Sequence, residues 1–429
     1  MGKIRNFNAL ATTDLRRAAL TIAEAGYAAI DTPTVIRKNV VLNGEVLRVD
    51  GEDISLAGVK RIIVVGVGKC ARRAVDTLED ILGDRISGGV VIDIEDGTVG
   101  RIKRFVGDHP FPTQRNALAT RELVRTLKEA EEGDLVLAVI SGGGSTLLCM
   151  PEKSGGIDTE TKVVKELFRA GADIIELNTI RKHLSQARGG FLAQHAYPAR
   201  VVSLIMSDVP GDRIEFVSSG PTVKDTTTVE DAMRVLSKYS VQARCACEIG
   251  DFIETPKDDK YFERVKNVLI VSNKTALTAM QDEAERLGWR CAIRDAAFTG
   301  EARDLGKRIV ADLERERPHA VLLYGGESTV TVVHDGKGGR SQELALSAAR
   351  FIRDNELLLA FASDGRDNTD HAGALCDILT MKRAKIVNED IDRDLSENAS
   401  YHFFMAVGDY LETGNTGSNV SDLVIAMKQ

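Results

Sequence analysis

Short apolar segments alternate with longer segments of helical periodicity along the chain, and this alternation constrains the fold more than any other feature. The apolar segments are rich in Val, Ile and Leu, and we predict strands at residues 61–67, 89–94, 135–140, 201–206, 267–271, 291–293, 320–324, 329–333 and 357–361. Between them we predict helices at residues 113–132, 226–239, 274–287, 299–316 and 341–354, and we predict a further short helix after a glycine-rich loop at 413–419. Strands that alternate with helices form parallel sheets with helices on their faces. The sequence therefore predicts an α/β protein, with an antiparallel or edge strand at 329–333, where the alternation of apolar and polar residues is strongest.

The chain is long enough for more than one domain. At about 150 residues per domain, a length of 429 residues corresponds to two or three domains. Strand periodicity is lost and charged residues gather over residues 240–262. We therefore predict two domains, at residues 1–256 and 257–429.

The charge balance disfavours several classes of partner. The chain has 56 Lys and Arg residues against 64 Asp and Glu residues, a net charge of −8, whereas nucleic-acid-binding proteins usually show a basic excess. No segment approaches the roughly 20 apolar residues of a membrane span. The six cysteines contain no CxxC pair and indicate reduced thiols. We therefore expect a cytoplasmic protein that binds neither nucleic acid nor membrane.

A glycine-rich loop follows the predicted strand at 135–140. It reads Ser141, Gly142, Gly143, Gly144 and Ser145. Successive glycines let backbone N–H groups turn toward one point, where they can bind an anion together with the serine hydroxyls. The alternative is a tight turn with a capping serine.

A second glycine loop, Gly66 to Ala71, admits two interpretations. It satisfies the loose dinucleotide pattern GxGxxA, and Asp93 or Glu95 would then bind a ribose at the end of the next strand. Lys69, however, falls at the predicted first turn of a helix, where its positive charge opposes the helix dipole. Such a lysine is better explained by an anionic ligand, and a solvated surface lysine remains the alternative.

Acidic loops follow two further strands. Asp208 and Asp212 follow the strand at 201–206, and Asp364 follows the strand at 357–361. Carboxylates on loops suit Mg²⁺, which usually takes one or two carboxylates plus substrate phosphates. Aspartates also favour turns for their own sake, so each loop admits a structural reading as well.

Polar side chains of three further segments are candidate ligands. Asn178, Arg181 and Lys182 either bind a substrate carboxylate or form a solvated helix face. In the C-terminal half, the remaining candidates are Gly325, Gly326, Glu327, Arg340 and Asn419. An arginine can bind a carboxylate or phosphoryl group through two parallel hydrogen bonds. The P-loop pattern GxxxxGK[ST] is absent from the sequence, and so any phosphoryl transfer is of another kind.

Taken together, nine motifs in matching order resemble the glycerate 2-kinase family. They are VxGxGK, GDHPFP, SGGGST, NTIRKHLSQARGG, SDVPGD, SSGPT, GGEST, GGRSQELAL and TGNTGSNVSDL, and they extend from about residue 62 to residue 423. The resemblance implies two α/β/α sandwich domains: an N-terminal Rossmann-like domain with a parallel sheet, and a C-terminal MOFRL domain with a mixed sheet. It implies an active site in the cleft between them. The implied reaction is ATP-dependent phosphorylation of D-glycerate at its 2-hydroxyl with a divalent metal.

The resemblance also assigns residues. The family's catalytic lysine and arginine fall on Lys69 and Arg340, and its glycine-rich loop falls on Ser141 to Ser145. We accordingly expect ATP to bind at Ser141, Gly142, Gly143, Gly144, Ser145, Gly325, Gly326, Glu327 and Asn419; D-glycerate at Asn178, Arg181 and Lys182; and Mg²⁺ at Asp208, Asp212 and Asp364. The segment 363–374 departs from the family pattern, because Arg366 adds a charge and a proline is missing.

Two other functions remain open at this point. One is an NAD(P)H-dependent hydroxypyruvate reductase, which rests on the GxGxxA pattern. The other is a sensor of sugar phosphates or nucleotides without catalytic activity. The expected partners are the small molecules D-glycerate and ATP, and a homodimer is left open.

Overall fold

The computed structural model describes residues 2–97, 100–152, 156–245 and 252–429. The chain forms two compact units, each with its own sheet. We call Val35–Ser207 with Arg213–Ile270 the parallel-sheet unit. The residues up to Thr34, together with Asp208–Asp212 and Val271–Gln429, form the mixed-sheet unit.

These units differ from the continuous division predicted at residues 256 and 257. The N-terminal residues up to Thr34 belong to the mixed-sheet unit, although they come first in the chain, and residues 257–270 belong to the parallel-sheet unit. The loss of periodicity after residue 240 therefore does not mark the end of the first unit. That unit ends only after one more strand of its sheet has been added.

The strands are numbered in chain order: β1 Val40–Asn43, β2 Val46–Val49, β3 Glu52–Ser55, β4 Ile62–Val67, β5 Ile86–Asp93, β6 Ile102–Val106, β7 Leu135–Ser141, β8 Arg200–Met206, β9 Val265–Val271, β10 Arg290–Phe298, β11 Ala320–Gly326, β12 Glu356–Ala362, β13 Gly373–Asp377, β14 Tyr410–Leu411 and β15 Asp422–Lys428.

The α-helices are likewise numbered in chain order: α1 Phe7–Leu10, α2 Asp14–Ala29, α3 Thr32–Asn39, α4 Ala71–Leu82, α5 Gln114–Lys128, α6 Gly144–Leu147, α7 Gly156–Arg169, α8 Ile174–His183, α9 Phe191–Ala196, α10 Val229–Lys238, α11 Val241–Cys245, α12 Asn273–Arg286, α13 Ala302–Glu314, α14 Arg340–Ala349, α15 Ile378–Val387, α16 Ile391–Ser396 and α17 Ser400–Val407.

The parallel-sheet unit has a six-stranded sheet in the order β6-β5-β4-β7-β8-β9, and a small antiparallel sheet formed by β1, β2 and β3. The pairings of β4 with β5 and β7, of β5 with β6, and of β7 with β8 are parallel. Every residue of β4 and β7 is buried, as expected for strands covered by helices on both faces. Val67 pairs with Ile140, so the loops that follow β4 and β7 begin side by side.

The mixed-sheet unit has a six-stranded sheet in the order β10-β11-β15-β12-β13-β14. β10 and β11 are parallel, and the other pairings are antiparallel. The last strand of the chain, β15, lies in the middle, where Asp422 pairs with Gly326 on one side and with Ala362 on the other. The predicted fold class, a parallel sheet in one part and a mixed sheet in the other, is confirmed.

Two details of the prediction at the C-terminal half are wrong. Residues 329–333 do not form a strand, apart from one bridge between Thr329 and Glu301. Side chains bind their backbone instead: the Glu301 carboxylate accepts from Thr331 N at 3.1 Å, and Asn398 Oδ1 accepts from Val333 N at 2.8 Å. After the loop at 413–419 we predicted a short helix, but the chain forms the buried strand β15.

The helix α2 is fixed to the mixed-sheet unit by a buried group of charges. Arg16 is completely buried, and its guanidinium binds Asp377 and Asp409, at 2.6 Å each. Thr380 Oγ1 donates to Asp409 at 2.7 Å and helps to satisfy the remaining acceptor atoms. Two buried carboxylates are thus neutralised by an arginine that lies more than 350 residues away in sequence. No helix within the described residues is long and apolar enough to span a membrane.

Replacing Arg16 by methionine is expected to destabilise the mixed-sheet unit strongly. The variant leaves Asp377 and Asp409 buried without their shared cation, which typically costs about 3–5 kcal/mol of unfolding free energy. Urea unfolding measures the loss. The control is Arg17→Met at an exposed neighbouring position of α2, where we expect a change within about 0.5 kcal/mol. A loss below about 1 kcal/mol for Arg16→Met would contradict the structural role assigned to this cluster.

Candidate active site

The glycine loops that follow β4 and β7 contact each other directly. Lys69 N donates to Gly142 O at 2.9 Å, and Cys70 N approaches Ser141 Oγ at 3.3 Å. Gly68 has φ +120°, and a Cβ there would lie 2.2 Å from Ser141 Oγ. Only glycine satisfies both the backbone conformation and the space. The close approach of the two loops therefore requires the second glycine of the GxGK sequence.

The aliphatic part of the Lys69 side chain lies along the triple-glycine loop. A Cβ at Gly143 would lie 3.0 Å from Lys69 Cγ, so the stem occupies space that a larger residue at that position would fill. Lys69 is partly exposed. It precedes Cys70, the N-cap of α4, and is therefore not in the first helical turn as predicted. The chain reverses direction between β4 and α4, and Lys69 lies in that turn.

Two serines that were not predicted as site residues join this group. Ser218 and Ser219 both have left-handed backbone conformations, with φ 52° and 60°, which are uncommon for residues with a side chain. Ser218 Oγ donates to Ser141 O at 2.6 Å, and the Ser219 and Ser145 hydroxyls lie 2.9 Å apart. Ser219 Oγ also donates to Asn178 Oδ1 at 2.7 Å. Both serines belong to the motif SSGPT, but the local sequence of that motif does not reveal their contacts with the glycine loop and with Asn178.

The three candidate substrate residues on α8 have different environments. Asn178 belongs to the hydroxyl network described above. Lys182 is buried and forms an ion pair with Asp225 at 3.0 Å. Burial disfavours the charged form of Asp225, but the Lys182 ammonium and the Thr227 hydroxyl outweigh it and hold the pKa of that carboxyl below its usual range. Lys182 is therefore engaged within the protein, unlike a residue held ready for a ligand.

Arg181 differs from Lys182 in its surroundings. Burial and the charge of neighbouring Arg188 lower the pKa of Arg181 to about 10. Arg188 is fully buried, and its own partner is Glu160, whose carboxylate lies 2.8 Å away. The two positively charged guanidinium groups thus lie near one carboxylate, that of Glu160. Such an arrangement favours the approach of an anion to Arg181.

The carboxylates proposed for a dinucleotide ribose are already occupied. Asp93 accepts from Arg72 N at 2.9 Å and from Ile94 N at 2.6 Å. Burial raises the pKa of the Asp93 carboxyl in spite of these hydrogen bonds. Glu95 forms an ion pair with the Arg72 guanidinium at 2.9 Å. Because both acids bind the start of α4, neither presents a carboxylate committed to a ribose, and the dinucleotide interpretation of the GxGxxA pattern loses its main support.

A second group of predicted residues lies at one edge of the mixed sheet. Gly325 and Gly326 end β11, and Glu327 follows them at the same edge as Asp422. Arg340 is the first residue of α14, and its guanidinium contacts both carboxylates: Nε lies 2.6 Å from Asp422 Oδ2, and Nη1 donates to Glu327 Oε1. Burial disfavours the charged guanidinium, but the two carboxylates outweigh it and raise the pKa of Arg340. Asp422 was not predicted as a site residue, although it lies in the NVSDL motif.

The segment 363–374, whose sequence departs from the family pattern, caps a helix at this edge. Its Asp367 carboxylate accepts from Ser341 N at 2.9 Å and from Gln342 N at 2.7 Å, and thereby caps the N-terminus of α14. A Cβ at Gly339 would lie 1.9 Å from Asp367 O, so the residue before Arg340 must be glycine. The Gly-Gly-Arg sequence and Asp367 are therefore fitted to each other.

Two of the predicted metal-binding aspartates are bound by the same loop. Asn419 Nδ2 donates to Asp208 Oδ2 at 2.9 Å, and Thr416 N donates to Asp364 O at 3.2 Å. Asp212, in contrast, forms an ion pair with Lys274 at 2.9 Å. Asn419, predicted to bind ATP, thus holds a carboxylate in this structure.

The three predicted metal ligands do not form a compact set of carboxylates. Among the described residues, the one group of three or more candidate ligand side chains within 4.8 Å of one another is Glu389, Asp394 and His402. Arg393 lies in that group and forms ion pairs with both of its carboxylates. The arginine accounts for this acidic cluster without an ion.

Two family models and several relatives match most of the chain. The family described as a domain of unknown function, DUF4147, matches residues 18–254, and the MOFRL family matches residues 320–422. A glycerate 2-kinase of Pyrococcus horikoshii is 37% identical over 443 residues, covering 96% of this chain and 97% of that protein. The chain belongs to the glycerate 2-kinase family. The family predicted from the nine motifs is thereby confirmed.

The fold of the family is known from a crystal structure of glycerate kinase from Thermotoga maritima. It is 33% identical, with a TM-score of 0.81, and the match covers 97% of this chain and 99% of that one. A protein of Agrobacterium vitis, provisionally named hydroxypyruvate reductase, is 36% identical over 382 residues, covering 85% of this chain and 86% of that protein. Relatives of this glycerate 2-kinase family member thus carry two different activity names.

The stability of this family member is expected to fall as the pH rises through the pKa of Asp422. Burial raises that pKa from 3.8 to about 7, and the Arg340 guanidinium only partly opposes the rise. Between these two values the folded protein holds a proton that the unfolded chain has lost, so the contribution to stability is present at low pH and lost near pH 7. A pKa that is about three higher in the folded than in the unfolded protein corresponds to about 4 kcal/mol of unfolding free energy.

The variant Asp422→Asn tests this pH dependence. Its free energy of unfolding, measured with urea, should increase relative to that of the unchanged protein as the pH rises from about 5 to about 8. Asp53→Asn is the control: the hydrogen bond from Arg48 holds the pKa of the Asp53 carboxyl below its usual range, so this carboxyl stays ionised in the folded and the unfolded protein, and the effect of Asp53→Asn should be constant from about pH 5 to about pH 8. A constant difference between Asp422→Asn and the unchanged protein over this range would contradict the raised pKa.

Proposed function

We propose that the protein transfers the γ-phosphoryl group of ATP to the 2-hydroxyl of D-glycerate and forms 2-phosphoglycerate. As a member of the glycerate 2-kinase family it is an enzyme of the phosphotransferase class. The observation that carries the proposal is the position of Lys69, whose backbone binds Gly142 and whose side chain lies along Gly143. A cation held on a triple-glycine loop suits a phosphate ligand, because backbone N–H groups and the ammonium act on the same anion.

Phosphoryl transfer depends mainly on positioning and on neutralising the charge that moves between donor and acceptor. In the proposed reaction, Lys69 neutralises negative charge on the phosphate chain, and the Ser145 hydroxyl donates a hydrogen bond to a phosphate oxygen. The Ser141 hydroxyl is buried and donates to Val67 O at 3.4 Å, so we assign it to holding the loop in place. Arg340 is the second cation for the transferred group. Its guanidinium can donate two parallel hydrogen bonds to phosphoryl oxygens, which a lysine cannot do.

The acceptor is proposed to bind at α8. Arg181 is the group for the glycerate carboxylate, because its guanidinium lies beside that of Arg188 and positive charge is therefore concentrated there. Asn178 and Ser219 are suited to the hydroxyl groups of glycerate, since amide and hydroxyl groups both donate and accept. We omit Lys182 from this site, because Asp225 already neutralises its ammonium.

For the expected divalent cation, Asp208 and Asp364 are the better candidates. Carboxylate oxygens are the hard donors that Mg²⁺ prefers, and the segment 416–421 binds both aspartates or their backbone. Asp212 fits less well, because its carboxylate pairs with Lys274. When bound with ATP, the ion would neutralise part of the phosphate charge.

Location in the cytoplasm and assembly as a homodimer stay predictions. Light scattering on the purified protein in solution would distinguish a monomer of 46.6 kDa from a dimer of twice that mass.

Product analysis tests the proposed reaction directly. Purified protein is incubated with ATP, Mg²⁺ and D-glycerate, and phosphorus NMR distinguishes 2-phosphoglycerate from 3-phosphoglycerate. We expect ADP and 2-phosphoglycerate in equal amounts. A parallel sample with NADH and hydroxypyruvate should show no loss of NADH absorbance. Loss of NADH without phosphorylation would favour the reductase, and nucleotide binding without turnover would favour a sensor.

Removing the Lys69 charge is expected to slow turnover by about 10²–10³-fold, the usual effect of deleting one preorganised charge that acts in the transition state. The variant is Lys69→Met, which keeps most of the aliphatic stem on the glycine loop. The measurement is kcat for ADP formation with D-glycerate. Lys38→Met, at an exposed position of the same unit, is the matched control and should keep full activity. Near-normal kcat for Lys69→Met would remove Lys69 from the proposed site.

Replacing Arg181 is expected to affect glycerate more than ATP. In Arg181→Gln the carboxylate loses a charge-assisted hydrogen bond, worth about 1.5–3 kcal/mol, so KM for D-glycerate should rise about 10- to 100-fold. KM for ATP should change little. Arg169→Gln, an exposed arginine one helix earlier, is the control. An equal rise of both KM values would contradict a specific role of Arg181 in acceptor binding.

A further inference from the structure

The guanidinium of Arg340 is held by two carboxylates that differ in exposure. Glu327 follows β11, and its side chain is 47% exposed, whereas the Asp422 side chain is only 4% exposed. Arg340 presents Nε and Nη2 to Asp422, at 2.6 Å and 3.3 Å, and Nη1 to Glu327. One edge of the planar group is thus held from within the unit, and the Nη1 side faces the exposed carboxylate.

Asp422 is anchored more rigidly than Glu327. It is the first residue of β15, the central strand, and its backbone pairs with Gly326 on one side and Ala362 on the other. Neighbouring strands on both sides therefore fix the backbone position of Asp422. A ligand can compete with the exposed Glu327 for Nη1, but it cannot displace a buried carboxylate from within the sheet.

The buried carboxylate is unfavourable for stability. Asp422 lies near Asp367 and Glu327 as well as Arg340, and burial together with these acids raises its pKa. Ionised acids in such surroundings are costly unless they are paired, and a neutral residue of similar size is often tolerated better. A group that weakens the fold near neutral pH and contacts a catalytic cation is a candidate for a functional role.

We propose that Asp422 is a positioning residue, which orients the Arg340 guanidinium so that its Nη1 edge is presented to the transferred phosphoryl group. This inference rests on the proposed catalytic role of Arg340. Glu327 contacts the same edge through Nη1, and phosphoryl oxygens replace its carboxylate there in the proposed reaction. Asp422 does not contact the reacting atoms and acts only through Arg340.

Steady-state kinetics of Asp422→Asn and of an arginine variant test the proposal. We expect kcat of Asp422→Asn to fall at least about 10-fold, since misplacement of a catalytic group by about 1 Å can cost up to 10²-fold. KM for ATP and for D-glycerate should change less than about 3-fold, because binding energy common to ground and transition states is retained. Asp422→Ser, a smaller neutral variant, gives the same test if the asparagine variant does not fold.

A double-mutant cycle separates positioning from a general structural effect. Arg340→Lys removes the planar group that Asp422 orients, so adding Asp422→Asn to Arg340→Lys should cost less than about 2-fold in kcat. The matched control is Asp409→Asn, which disturbs another buried carboxylate–arginine pair of the same unit. It should lower stability while the folded protein keeps its kcat. Circular dichroism verifies that each variant is folded.

Three outcomes decide between the hypotheses. Asp422→Asn is compared in the unchanged protein and in the Arg340→Lys variant. If it lowers kcat by the same factor in both, Asp422 does not act through the arginine and the inference fails. Unchanged kcat for Asp422→Asn, together with strong impairment of Arg340→Ala, also rejects the inference but leaves the proposed function standing. If Arg340→Ala itself retains normal turnover, the catalytic role of Arg340 is wrong, and the failure lies in the proposed function.

Discussion

Contact between backbone segments, without an intervening Cβ, is the constraint on which both groups of site residues depend. In the parallel-sheet unit, Gly68 lies against Ser141, and Lys69 follows directly. In the mixed-sheet unit, Gly339 lies against Asp367, and Arg340 follows directly. In each case the residue that precedes the cation admits no larger side chain. The backbone of each cation is therefore fixed by packing, and this leaves only the side chain to adapt to a ligand.

Buried charges in the mixed-sheet unit serve two different ends. Arg16 is shared by Asp377 and Asp409, with hydrogen bonds to both carboxylates, and it attaches the first long helix to the unit. Asp422, by contrast, lies near other acids and keeps a raised pKa in spite of Arg340. The first group is well paired and contributes to the fold. The ionised form of the second is unfavourable for the fold, and the arginine that it holds gives this carboxylate a functional explanation.

Much of the fold was accessible from periodicity, because burial on both faces of a sheet leaves continuous apolar runs such as 62–67 and 135–141. The strand predicted at 329–333 was wrong because Glu301 and Asn398, distant in sequence, bind its backbone groups. The site was accessible in part. Lys69, the triple-glycine loop and Arg340 stand in recognisable motifs, whereas the contacts of Ser218, Ser219 and Asp422 depend on partners in other segments. Lys182 has the residue type of a ligand, but Asp225 neutralises it.

The sequence by itself determined the fold class, the family and the loops in which glycines and charged residues meet, because these properties are written in local periodicity and in the order of short motifs. Only the tertiary structure decided which unit the N-terminal helix joins, which charges are already paired, and which carboxylate holds Arg340. The physical reason is that ion pairing and desolvation depend on distances across the sheet. Strand register sets those distances between residues that lie tens or hundreds of positions apart.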